Sequence, residues 1–150
     1  MMKSSIYKAP PSILEKLTGL FNLLRQEKRK YEQIAENISD KEFRATVIGL
    51  AQESNQYACE LSSQIHCLNG DMPVDKYPGE LGEQALENRS GCSENELLCY
   101  CKDSEKHMIS AYREILNEPF LLEGVRKVIR YQLNGILYAF LQLKLLSSTT

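Results

Sequence analysis

Lys102-Asp103-Ser104-Glu105 interrupts a face that is otherwise apolar: Leu98, Cys101, Met108, Tyr112 and Ile115 recur in steps of three and four, and Glu105 falls among them. That spacing predicts one core-facing stripe of an α-helix. A carboxylate on such a stripe is costly unless another element answers it. The stretch therefore predicts a helix packed against others that carry polar groups at the same depth, and the rest of the chain is read outward from it.

Ser93-Glu94-Asn95-Glu96 just before it is a capping box, with serine at the N-cap and glutamate three residues on. Asn117-Glu118-Pro119 restarts the chain, since proline is tolerated in a first helical turn. A fourth helical stripe follows through Leu122, Val125, Ile129, Gln132, Ile136, Ala139, Leu143 and Leu146, with Gly135 permitting close helix contact. Upstream, Ser12-Ile13-Leu14-Glu15 and Ser39-Asp40-Lys41-Glu42 are two further capping boxes. The first opens the stripe Leu14, Leu17, Phe21, Leu24, Lys28, Tyr31, Ala35 and Ile38. The second opens Phe43, Val47, Leu50, Ser54, Tyr57, Leu61, Gln64 or Ile65, and Leu68, with Asn69-Gly70 as the stop signal.

The predicted helices are about 13–38, 40–68, 94–117 and 119–146 of one domain spanning 12–150, preceded by a loose arm over 1–11. Short turns make each consecutive pair an antiparallel hairpin. Residues 70–92 carry turn chemistry at Asp71-Met72-Pro73 and Tyr77-Pro78-Gly79, with a short helix admitted over Glu80 to Asn88. They form a crossover longer than a hairpin needs. The fold class is all-α, a four-helix bundle.

Composition agrees with a soluble domain of 150 residues, 43% hydrophobic and 25% charged. A net charge of -2 gives no field drawing the chain to nucleic acid or a membrane surface, and the run Arg25, Lys28, Arg29, Lys30 reads as a solvated helix face. Ile136 to Leu146 is too short to span a bilayer and contains Gln142 and Lys144. Five cysteines, an odd number with no secretory leader, point to reduced thiols in the cytoplasm.

Each of the four stripes holds one polar residue, Lys28, Ser54, Glu105 and Gln132, which together predict a buried polar cluster. Lys28 and Glu105 stand at matching places in their hairpins, each behind a polar triplet, so the hairpins read as divergent copies of one unit.

With Leu24-Arg25-Gln26-Glu27-Lys28-Arg29-Lys30-Tyr31, Leu50-Ala51-Gln52-Glu53, Glu60-Leu61, Leu68-Asn69-Gly70 and Cys101 to Glu105, the chain resembles bacterial ferritin-like proteins of unknown function, often stress-linked, that form a duplicated four-helix bundle. The resemblance runs from about Leu17 to Leu146 and implies a ferritin-like fold with one long crossover. It also implies two iron or manganese ions held by a glutamate on each of two helices and Glu-x-x-His on each of the others. The residues depart from that pattern. Glu105 stands at the helix-three position, but Lys28 occupies the helix-one position. Helix two offers Glu53-Ser54-Asn55-Gln56 without histidine, and the histidine position of helix four falls near Phe140.

The expectation is therefore a degenerate metal site in which Lys28 replaces the metal's charge and pairs with Glu105, fixing register between helices; the alternative is that Lys28 snorkels out and Glu105 reaches water at the edge of the seam. His66 and His107 read as exposed, and the seam tyrosines Tyr31, Tyr57, Tyr112 and Tyr138 as packing residues with hydroxyls near the surface. No nucleophile–base pair or phosphate loop is recognisable. Two functions remain in view. One is a non-enzymatic bundle, without cofactor, acting through a homodimer or a protein partner, with Leu122, Ile13 and Phe120 as interface candidates. The other is a metal-binding or oxidative-stress protein with iron or manganese at a residual site of Glu53 and Glu105.

Overall fold

The computed structural model describes residues 9–68 and 94–148; the crossover predicted over 70–92 and most of the N-terminal arm lie outside them. Four helices account for the described chain: α1 Pro11–Glu36, α2 Lys41–Cys67, α3 Glu94–Leu116 and α4 Glu123–Ser148. There is no strand among the described residues. No helix among them is long and apolar enough to cross a membrane.

The helix starts differ from the sequence reading. Pro10 and Pro11 open α1: Pro10 is the N-cap with no side-chain cap, and its carbonyl accepts from the amides of Ile13 at 3.0 Å and Leu14 at 3.2 Å. Proline's fixed φ and missing amide suit a first helical position, so Ser12 falls inside the turn it was expected to cap. At α2 the cap is Asp40, whose Oδ2 accepts from the Phe43 amide at 2.8 Å, and not Ser39. The third predicted box includes Ser93, outside the described residues. The fourth helix begins at Glu123, after a turn at Pro119-Phe120. Arg126 fixes that corner by donating to the carbonyls of Leu116 at 2.7 Å and Glu118 at 3.2 Å, and Lys16 ties Glu118 to α1 at 2.6 Å.

Helices in contact are α1 with α2, α1 with α3, α2 with α4, and α3 with α4. The diagonal pairs stand farther apart and meet only through side chains, as Tyr31 of α1 does with Phe140 of α4. Every neighbouring pair is antiparallel. Arg44 at the start of α2 reaches the carbonyl of Ala35 at the end of α1, and Lys16 early in α1 meets Glu118 just past α3. Gln132 early in α4 meets Glu60 late in α2, and Tyr112 late in α3. The end of α2 and the start of α3 consequently lie at opposite ends of the bundle.

The core runs the length of the bundle, from Ile13 and Leu17 through Leu24, Leu50, Leu61, Met108 and Ile129 to Phe140 and Leu143. Ile13, expected to be exposed at a bundle end, is buried, whereas Phe120 and Leu122 are exposed. On α3 the buried leucine is Leu97, with Leu98 only partly buried; just before α4 Leu121 is buried where Leu122 was expected, and on α4 Phe140 is buried where Ala139 was. Each shift is one residue, within the width of a helical face.

Candidate functional site

A polar layer crosses the middle of this core, and its membership changes at two of the four positions. Ser54 and Gln132 are fully buried as expected. Lys28 and Glu105 are not the seam residues: their places are taken by Glu27, 4% exposed, and Ser104, 2% exposed. The predicted Lys28–Glu105 pair does not form. Lys28 pairs along its own helix with Glu32 at 3.2 Å, and Glu105 pairs with Lys144 at 3.1 Å, both toward solvent. The stripe on α1 runs Leu24, Glu27, Tyr31 and Ile34, and that on α3 runs Cys101, Ser104 and Met108. Both take the three-residue step first, where the sequence equally allowed the four-residue one.

Between α1 and α3 the buried groups form a chain. Ser104 Oγ donates to Glu27 Oε1 at 2.8 Å, and the Tyr31 hydroxyl bonds Ser104 Oγ. With Glu27 ionised, the single serine proton goes to the carboxylate, so Tyr31 donates to Ser104. Lys30 Nζ stands 3.9 Å from Glu27 Oε2 and 5.8 Å from the Tyr100 ring centroid. Tyr31 packs edge-on against Phe140 at 6.4 Å, so the position where the resemblance implied a histidine is an aromatic contact.

Burial pushes the Glu27 carboxyl above its ordinary range, and the Ser104 hydrogen bond and the Lys30 charge offset only part of that. Burial, then the charge of Glu27, raises the Tyr31 phenol well above its usual value and the Cys101 thiol to about 12.

A second set joins α2, α3 and α4. Gln132 accepts from the Tyr112 hydroxyl at 2.9 Å and donates to Glu60 Oε1 at 2.9 Å and to the Tyr57 carbonyl at 3.2 Å. Tyr57 turns its hydroxyl to Glu53 Oε2 at 2.6 Å and its ring edge-on to Tyr131 at 6.0 Å. Burial raises both the Tyr57 and Tyr112 phenols. Tyr31 and Tyr112 thus place their hydroxyls inside the bundle and not near the surface as expected; the Tyr57 hydroxyl is part-buried against Glu53, and Tyr138 is exposed. Ser54 Oγ has no hydrogen-bond partner among the described residues. Gly135 is the close-contact residue its size suggested: a Cβ there would overlap the Tyr57 hydroxyl and lie 2.9 Å from Glu53 Oε2.

These donors do not suit a di-iron or di-manganese centre. The fully buried members are one carboxylate, two serines, a glutamine and tyrosines whose protons burial holds in place. The nearby carboxylates already accept hydrogen bonds, Glu53 from Tyr57 and Glu60 from Gln132. Glu53 and Glu105 stand on the diagonal pair α2 and α3, and Glu105 is taken up by Lys144 at 3.1 Å. Among the described residues no three His, Cys, Asp or Glu are placed to hold a metal, and His66 and His107 are exposed. Cys59, Cys67, Cys99 and Cys101 carry free thiols; Cys92 lies outside the described residues.

Glu27 escaped the sequence reading because Lys28, Arg29 and Lys30 follow it, which made its surroundings look like a solvated face. A usable signal was present in the shared spacing Glu27-x-x-x-Tyr31 and Glu53-x-x-x-Tyr57, a carboxylate and a phenol one turn apart on neighbouring helices.

The class defined by fold and site is an all-α protein of four antiparallel-packed helices around a buried hydrogen-bonded layer. Compared with protein-family models, curated proteins and solved structures, the chain matches none.

Proposed function

We propose that this protein is a ferritin-like bundle that has exchanged its di-metal centre for a hydrogen-bonded polar layer and acts non-enzymatically, by association. The connectivity supports the first part. Two antiparallel hairpins whose join runs from one bundle end to the other are the arrangement of single-crossover ferritin-like bundles. The observation that carries the second part is the Glu27–Ser104–Tyr31 chain, in which the one deeply buried carboxylate among the described residues is engaged by the Ser104 hydroxyl, itself bonded to Tyr31. Such a layer suits helix register: only one alignment lets Ser104 meet Glu27 and Tyr112 meet Gln132. The free thiols suit a reducing compartment such as the cytoplasm.

Metal analysis of protein purified without chelators, followed by aerobic ferrous iron titration, tests this reading. Substoichiometric metal and no protein-dependent iron oxidation are expected. Stoichiometric iron with oxygen consumption would overturn it in favour of the oxidative-stress reading.

A further inference from the structure

We draw no further inference here: the strongest candidate, the exposed apolar face of α4 around Tyr131, Tyr138 and Leu141, carries none because nothing in the structure shows what covers it.

Discussion

Glu27 is the residue on which the chemistry of the core turns, because a carboxylate 4% exposed must be either charged and answered or protonated. Both its oxygens are engaged, Oε1 by Ser104 at 2.8 Å and Oε2 more loosely by Lys30 at 3.9 Å, yet burial outweighs them and raises its pKa from 4.5. A carboxyl whose pKa is higher folded than unfolded binds more protons in the native state. Its contribution to stability is then full below about 4.5 and is lost as pH rises through the folded value. Glu27→Gln keeps the acceptor and removes the charge, so urea melts should show this variant losing less stability than the parent between acidic and neutral pH. Lys28 and Glu105 make the opposite case. Each holds a partly exposed ion pair, with Glu32 and Lys144 respectively. Lys28→Met should change stability by no more than about 1 kcal/mol. A double-mutant cycle with Glu105→Leu should give a coupling below about 0.5 kcal/mol; a coupling of several kcal/mol would mean the two side chains meet. That Glu27 and Ser104, and not Lys28 and Glu105, face inward was hard to read because both registers alternate steps of three and four, and the shared Glu-x-x-x-Tyr spacing was the one local pointer to Glu27. Only the partner helices decide between them.

At the scale of elements, the four helices were readable because each carries a long apolar stripe, and α2 follows its predicted stripe with Ile65 as the buried choice. The ends were less so. Three of the boundary signals hold several residues that can cap or start a helix, and tertiary contacts select among them. Pro11 displaces Ser12, Asp40 displaces Ser39, and Arg126 anchors the corner that delays α4 to Glu123. The α2–α4 contact depends on Gly135, over which the Tyr57 ring and hydroxyl lie. Gly135→Ala should cost about 1–3 kcal/mol by overpacking. Combining it with Tyr57→Phe, which removes the overlapping oxygen, should cost less than the sum of the two single changes. Strict additivity in chemical denaturation would show that the two residues do not press on one another.

For the whole molecule, the antiparallel adjacency of all four neighbouring pairs brings polar side chains from every helix into the core as two hydrogen-bonded sets. The hairpin pattern and the turn-rich stretch between the hairpins made that adjacency predictable, and Ser54 and Gln132 were visible as polar breaks in apolar stripes. The Tyr112–Gln132–Glu60 set was not, since nothing local in the sequence pairs residues on three helices. The central claim is that these two sets, Ser54 standing outside them, are closed by the protein's own hydrogen bonds, with Glu27 as the buried acid. The most direct measurement is the NMR chemical shift of the Glu27 side-chain carboxyl, followed through pH and then with manganous ion added. The account predicts a titration midpoint above the ordinary 4.5 and a carboxyl signal left sharp by one equivalent of manganese. A midpoint at or below that value, with the signal broadened away by stoichiometric manganese, would contradict it.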